Sequence, residues 1–395
     1  MPVLDAAVVG IHEFPQRLAP GTSALRIKAA SAAAALADAG LSWSDVDAIY
    51  DAGDGAGMAG LTVQEYFNVR PRITDTTAVG GSSFEFHAAH ALDAIRSGRA
   101  SVALLTYGST ARSDAWAIGT GAMPGGRVVS PSSNMELPWG VTLIANYAMV
   151  AHRHMHQYGT TSEQLAEIAV VTRAHALRNP QAVQALQDLR YKDIGEISVA
   201  DVVNGRMIAD PLHRLECCMI SDGGGAVVIA SEEVARSCRQ RPVWILGAGE
   251  GIGYVDNTND ITVSAAAESG PRAFAEAGLT PDQMDVAMIY DSFTITVLTC
   301  LEDLGFCGKG EGGSFVEGGR LRWDDPTGPA LNTDGGGLFS NHPGMRGIFL
   351  LIEATRQLRG ESTAQVDGAR YAVAHGNGGR LGASHAGGTV VLGAD

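Results

Sequence analysis

ADAGLSWSDVDAIYD (residues 37–51) and AEAGLTPDQMDVAMIYD (residues 275–291) are two versions of one pattern. Each closes a helical stretch at a glycine (Gly40, Gly278), passes through a Ser- or Thr-led turn, and ends in a short apolar strand finished by Tyr-Asp. Working outward, LDAAVVGIHEF (4–14) matches VWILGAGEGIG (243–253), an apolar strand running into glycine. GGSSFEFHAAHALDAIRSGRASVALLTYG (80–108) corresponds to NHPGMRGIFLLIEATRQLRG (341–360) followed by ARYAVAHGNGG (369–379), and SDGGGAVVIAS (221–231) parallels SHAGGTVVLGA (384–394). Landmarks shared in the same order describe a duplicated chain, each half reading strand–helix–strand–helix–strand–strand with strands buried on both faces. The expected division is residues 1–240 and 241–395. An insertion at 114–215 in the first half holds a Met/His-rich helix (NYAMVAHRHMHQYG) and a capped helix (TTSEQLAEIAVVTRAHALRN), and reads as a lid-like excursion rather than a third core.

Composition narrows the function. The 395 residues are 45% apolar and 18% charged, which suits a folded globular protein of two units. The net charge of −15, with no basic run, argues against nucleic acid as a partner. No window is long and apolar enough to span a membrane, and the start, MPVLDAAVVGIHEF, lacks a signal-peptide pattern. Five cysteines form neither a disulfide framework nor a CxxC metal pattern, as expected of reduced thiols in the cytoplasm.

Two packed halves bring equivalent helix starts together at their junction, where ligands tend to bind. VGGSSF (79–84) and SNHPGM (340–345) are therefore the elements to weigh. The first is expected to turn a strand sharply into a helix, with Ser82 and Ser83 as cap and turn residues and the backbone amides holding an oxyanion. His342 enters a helix through Pro-Gly, a setting that disfavours imidazolium and leaves a neutral donor or base. Tyr290 ends a strand and is by default a proton donor at neutral pH, while its twin Tyr50 shows that the position also suits a packed ring. Asp291 reads as a loop anchor, His375 as the opening of a glycine loop, and Cys300 and Cys307 as core fillers. His152 and His156 stand four apart, but no glutamate follows the first of them, so no metal site is assigned; DGGG (222–225) lacks the lysine of a phosphate loop.

The duplicated pattern resembles the thiolase superfamily, specifically the sterol-carrier-protein type thiolases and their lipid-transfer-protein-like relatives. The resemblance runs along almost the whole chain, most closely in YDSFTITVLTCLEDLGFCGKGEGG (290–313), NTDGGGLFSNHPG (332–344), EATRQLRGE (353–361) and HGNGG (375–379), with HQYGTTSEQLA (156–166) and ADPLHRLECCMISDGG (209–224) in the first half. It implies an α/β thiolase fold: two βαβαββ halves packed in five α-β-α-β-α layers, with a helical loop domain inserted in the first half. It also implies a homodimer. The family carries its acyl group on a cysteine at the first-half turn, and counting back from IRSG (95–98) places that position at Gly81. A second cysteine belongs to a His-Asp-Cys-Phe motif, here Tyr290, Asp291, Ser292 and Phe293. The Gly-His-Pro histidine is His342, preceded by asparagine, and His375 opens the second-half glycine loop. Both reactive cysteines are thus replaced.

The residues then point to an acyl-CoA enzyme that breaks a C–C bond without a covalent acyl intermediate. Retro-aldol cleavage of a β-hydroxyacyl-CoA in lipid or steroid side-chain catabolism needs a base for the β-hydroxyl and an oxyanion site, but no thiol. Tyr290, His342 and His375 are the catalytic candidates, with Gly81, Ser82, Asp291 and Ser292 at the oxyanion or substrate site. Tyr290 also resembles the Tyr-Asp motif of steroid side-chain aldolases, which work with a separate OB-fold/zinc-ribbon partner. No cofactor is required, since coenzyme A arrives as part of the substrate. The alternatives are a non-catalytic acyl-CoA or lipid binder, and a thiolase with a displaced thiol such as Cys300.

Overall fold

A computed structural model describes residues 4–53, 58–115, 142–254 and 260–394. Part of the insertion, residues 116–141, lies outside the described residues.

The twin stretches fold alike. Helices Ala24–Ala39 and Ala266–Ala277 both end on a glycine in the left-handed region, Gly40 at φ 77° and Gly278 at φ 64°. A single turn of 3-10 helix follows each, with Asp45 and Gln283 reaching back to the amides of Ser42 and Thr280 at 2.8 and 2.9 Å. The chain then enters β2 (Ala48–Asp51) and β9 (Val286–Ile289), each buried along its whole length.

The first half adds β1 (Ala6–Glu13), β3 (Ile73–Asp75), β4 (Val102–Ser109) and β7 (Gly223–Ser231), with β5 (Met207–Ala209) and β6 (Leu212–His213) paired in a separate two-stranded ribbon. The second adds β8 (Val243–Gly253), β10 (Ala330–Leu331), β11 (Tyr371–Gly379) and β12 (His385–Gly393). In space the order is β10-β9-β11-β12-β8-β1-β7-β4-β2-β3. Five strands come from each half, joined only where Ala7 and Val8 of β1 pair with Trp244 and Val243 of β8. The edge strands β3 and β10 pair parallel to β2 and β9 and extend the βαβαββ pattern by one strand per half.

The sheet wraps around helices Ser83–Arg96 and Gly347–Arg359, each of which touches strands of both halves. Phe84, Leu92, Ile348, Phe349 and Ile352 fill this inner layer beside Leu105, Val227, Met288 and Val390. Ala24–Ala39 and Ala266–Ala277 cover the outer faces, where Leu36, Ala273 and Phe274 meet Val9, Leu104, Trp244 and Val391. A section through the molecule therefore crosses α, β, α, β and α. Each such fully buried side chain contributes roughly 1.5–3 kcal/mol.

In the inserted region, Tyr147, Leu165 and Ile168 of helices Leu143–Tyr158 and Ser162–Ala176 join the core with Phe293, Val297 and Leu298 of the second half. A smaller cluster holds Ala169, Leu186 and Val202 against Leu338 and Phe339. The described part of the insertion thus packs onto the second half. Among the described residues, no helix is long and apolar enough to cross a membrane.

Candidate active site

The opening turn departs from the strand-to-helix expectation. β3 stops at Asp75, and Gly80–Ser82 forms a turn of 3-10 helix before helix Ser83–Arg96 begins. Ser82 does not cap through its side chain. Its hydroxyl donates to the Val79 carbonyl at 3.1 Å, while the Ser83 hydroxyl donates to the Gly80 carbonyl at 2.6 Å and accepts from the Val79 amide at 3.0 Å. Both serine hydroxyls are spent on closing the turn, and the Ser83 amide donates to the Gly80 carbonyl.

Gly81 has no room for a side chain. A Cβ built there would lie 2.2 Å from Tyr290 Cε2, 2.6 Å from Cζ and 2.4 Å from the carbonyl oxygen of Asn377. The ring of Tyr290 fills the space that a residue at this position would need. Its main-chain amide donates to the His375 carbonyl at 2.9 Å, which continues the β9–β11 ladder by one residue and fixes the ring's root.

At the ring's far end the Tyr290 hydroxyl stands 2.8 Å from His342 Nε2, and the two rings meet edge to face. Both residues are at most 4% exposed. Burial pushes the phenol well above its ordinary range, so it holds its proton. Burial, helped by the Arg346 guanidinium, depresses His342 to about 4, so the imidazole is neutral. The pair is therefore a neutral phenol against a neutral imidazole, able to shift a proton without creating net charge. The twin tyrosine does something different: Tyr50 bonds the His90 carbonyl at 3.4 Å and serves as packing.

The loop carrying His342 is tied from several sides. Its amide donates to Ser221 Oγ at 3.0 Å, and its carbonyl accepts from the Ser221 amide at 3.3 Å. The Tyr107 hydroxyl donates to the Pro343 carbonyl at 2.7 Å and accepts from the Met345 amide at 3.0 Å. Asn341 donates to Glu13 Oε1 at 2.5 Å.

Asp291 is an anchor. Its carboxylate accepts from the amides of Gly337 at 2.7 Å and Leu338 at 3.1 Å, and faces Arg346 Nε at 3.1 Å. Burial outweighs that cation and raises its pKa to about 6. A Cβ on Gly336 would fall 2.1 Å from Asp291 Oδ2, so the DGGG run (334–337) is shaped around this carboxylate. The Ser292 hydroxyl pairs with Thr296 Oγ1 at 2.9 Å, and its carbonyl accepts from the Cys218 amide at 3.0 Å.

The structure brings Gly81, Tyr290 and His342 together, but not the ring of His375. On β11, Gly376 and Gly378 face the Gly80–Ser82 turn, whereas His375 faces the other way. Its Nδ1 lies 2.8 Å from Thr389 Oγ1, its ring lies against Gly387, and burial depresses its pKa to about 3. It contributes to the pair only through its carbonyl. Cys300 is fully buried with its thiol pushed up to about 12, and burial raises Cys218 and Cys307 as well, so none of these thiols is poised as a thiolate. His152 engages Asp210 Oδ2 at 3.1 Å.

Sequence reasoning passed over Arg346, Asp334, Asn341 and Ser221, although NTDGGG and NHPG were already visible as motifs. It also passed over Glu85, a 1% exposed acid whose two oxygens have no hydrogen-bond partner among the described residues and whose pKa burial raises well above the ordinary carboxyl range. Glu85 Oε2 and the Gly81 carbonyl lie 2.4 and 2.3 Å from where a Cβ on Gly347 would be, so the two central helices start in contact.

The chain as a whole is similar to known proteins. Residues 249–394 match the "Thiolase C-terminal domain-like" family. The chain is 32% identical to an acetyl-CoA acetyltransferase of Methanothermobacter thermautotrophicus, over 95% of this chain and 96% of that protein. It is 33% identical to a steroid side-chain-cleaving aldolase of Thermomonospora curvata, over 91% and 92%. It is also 33% identical to the 17-hydroxy-3-oxo-4-pregnene-20-carboxyl-CoA lyase of Mycobacterium tuberculosis, over 93% and 95%. Among solved structures, an Ltp2-ChsH2(DUF35) aldolase superposes with a TM-score of 0.86 at 32% identity, covering 100% of this chain and 99% of that one. Relatedness along the full length, joined to the duplicated halves and their shared helix starts, establishes that the chain belongs to the thiolase superfamily.

Proposed function

We propose that this protein cleaves a C–C bond in a β-hydroxyacyl-CoA by retro-aldol chemistry, in the breakdown of a steroid or similar lipid side chain. One observation carries the reading: the ring of Tyr290 occupies the space beside Gly81 and sets its hydroxyl 2.8 Å from a neutral His342. A thiol at Gly81 has no place in such a site, whereas a relayed proton does.

The steps balance without an outside reagent. The amides at the start of helix Ser83–Arg96 hold the thioester oxygen. Tyr290 takes the β-hydroxyl proton as its own proton passes to His342 Nε2. The Cα–Cβ bond breaks, Cβ becomes an aldehyde or ketone carbonyl, and the electron pair moves into the thioester enolate. The proton then returns through Tyr290 to Cα, which releases the shortened acyl-CoA. Coenzyme A takes part only as the substrate's carrier. Relatives named for steroid side-chain cleavage and for a pregnene-carboxyl-CoA lyase support the substrate class. The Ltp2-ChsH2(DUF35) relative supports a separate DUF35-type partner; an OB-fold/zinc-ribbon build for that partner and a homodimer of this chain are expectations from the resemblance alone. Five free cysteines suit a reducing cytoplasm.

The test is mass spectrometry of products from a panel of β-hydroxy- and β-ketoacyl-CoAs, with and without a co-expressed DUF35-type protein. Release of an aldehyde or ketone together with a shortened acyl-CoA is the expected result. Acyl transfer to free CoA would make the protein a thiolase, and tight binding without turnover of any ester would make it a carrier.

A further inference from the structure

We propose that Arg346 is a positioning residue that holds the Tyr290 hydroxyl and His342 Nε2 at bonding distance by clamping the two backbones that carry them. The inference rests on the Tyr290–His342 reading of the site but concerns a residue that touches neither ring.

Arg346 is fully buried at the entrance to helix Gly347–Arg359. Its guanidinium has three sets of partners. Nη2 donates to both oxygens of Asp334, at 2.7 and 2.8 Å. Nη1 donates to Asn341 Oδ1 at 2.6 Å and to the Asn341 carbonyl at 3.3 Å. Nε makes an ion-pair contact with Asp291 Oδ1 at 3.1 Å, without the alignment of a hydrogen bond. Asn341 precedes His342, and Asp291 follows Tyr290. One planar cation therefore grips the neighbours of both site residues, which lie on different strand and loop segments.

The surroundings reinforce the grip. Glu13 binds the far side of Asn341, pairs with Arg17, and meets Arg356 Nη1 at 2.7 Å; Arg17 in turn donates to the Ser340 carbonyl at 3.3 Å. Three cations (Arg17, Arg346, Arg356) thus face four carboxylates (Glu13, Asp291, Asp334, Glu353) in a largely buried network. Such networks cost desolvation and are often no more stable than apolar packing, so a geometric role accounts for keeping one here. A lysine cannot replace this fork, because a single ammonium does not reach three partners in one plane.

The test uses Arg346→Lys and Asn341→Ala. The second removes the 2.6 Å side-chain link to the histidine loop, leaving the longer 3.3 Å bond to the Asn341 carbonyl and the Arg346 ion pairs with both aspartates, so it guards against simple misfolding of the first. Imidazole ¹⁵N NMR of the full-length protein reads the Nε2 resonance of His342, assigned with His342→Gln, with Tyr290→Phe marking complete loss of the hydrogen bond. Both variants are expected to move that resonance at least halfway to the Tyr290→Phe value. Turnover is expected to fall roughly 10²-fold, with KM changed less than about threefold. In the Tyr290→Phe background the same substitutions are expected to cost almost nothing further, since the pair they position is already broken. An unmoved His342 resonance in folded variants would overturn the proposal, as would the same fold-loss with and without Tyr290. The NMR reading stands even if the protein proves to be a carrier, so failure of the retro-aldol reading and failure of the clamp are told apart.

Discussion

Gly81→Ala is the smallest change that asks whether the space beside the helix start belongs to Tyr290. The added methyl would lie 2.2 Å from Tyr290 Cε2, against the roughly 3.5–4.0 Å that two carbons prefer. On the other side stands the Asn377 carbonyl at 2.4 Å, main chain that cannot rotate aside. The ring must therefore retreat by more than about 1 Å, and its hydroxyl leaves the 2.8 Å contact with His342 Nε2. Overpacking of this kind costs about 1–3 kcal/mol, and a displacement of about 1 Å in a reacting group costs on the order of 10²-fold in rate. Urea denaturation gives the first quantity, and the initial rate of aldehyde or ketone release gives the second. Adding Tyr290→Ser to Gly81→Ala is expected to relieve the contact with the ring but not the one with the Asn377 carbonyl, and to recover no turnover, because the double variant has no phenol. A single variant that turns over at the wild-type rate would refute the reasoning, whatever its stability, since the ring would then not depend on an empty position 81.

The two tyrosines of the duplicated chain should part company. Tyr290→Phe is expected to lower turnover by about 10²–10⁴-fold with substrate affinity by calorimetry nearly unchanged, whereas Tyr50→Phe should leave turnover at the wild-type level; equal losses in both would remove Tyr290 from the chemistry. His375 bears on stability: its folded pKa of about 3 lies below the unfolded 6.5, so its contribution is fully present above pH 6.5 and drains away as pH falls through that window. From pH 6.5 to 5 this amounts to about 2 kcal/mol at roughly 1.4 kcal/mol per unit, and His375→Gln, which keeps a partner for Thr389, should flatten the pH dependence by that amount; parallel curves for the two proteins would contradict it. Cys300→Ala should leave product release intact, because that thiol is buried and held protonated; loss of activity with preserved folding would restore the displaced-thiol alternative.

Much of the architecture was legible because duplication writes each structural signal twice. The glycine-capped helix, the Ser- or Thr-led turn and the Tyr-Asp strand end recur at Gly40 and Gly278, and local signals that agree between halves outweigh weak propensity at either one. Strands β3 and β10 were not legible: three residues, Ile73–Asp75, and two, Ala330–Leu331, are too short to display alternation. The turn at VGGSSF was misjudged in detail because serine reads as a cap by type, while here each hydroxyl turns back on the preceding loop.

At the site, Gly81, Tyr290 and His342 stood out as departures from a familiar pattern, but what joins them did not. That a tyrosine ring reaches into the gap left by an absent cysteine is a contact between residues more than two hundred positions apart. Arg346 hid for a related reason. An arginine beside a glycine-rich loop reads as a charge turned to solvent, and only the fold surrounds it with Asp291, Asp334 and Asn341. His375 shows the converse: its motif suggested the site, and the pleat of β11 turned its ring to the opposite face.

The join between the halves has a consequence for how such a site arises. Positions 50 and 290 descend from one strand end, and the turn at 80–84 and the loop at 341–345 from one helix start, so a symmetric ancestor would offer the same loop to both tyrosines. Here one copy carries a glycine and the other an imidazole. Chemistry at the seam then depends on the two copies having diverged: one supplies a vacancy, the other an occupant and its proton acceptor. Either half expressed alone would carry only one side of that bargain, and restoring sequence symmetry between the copies would erase the site while leaving the fold intact.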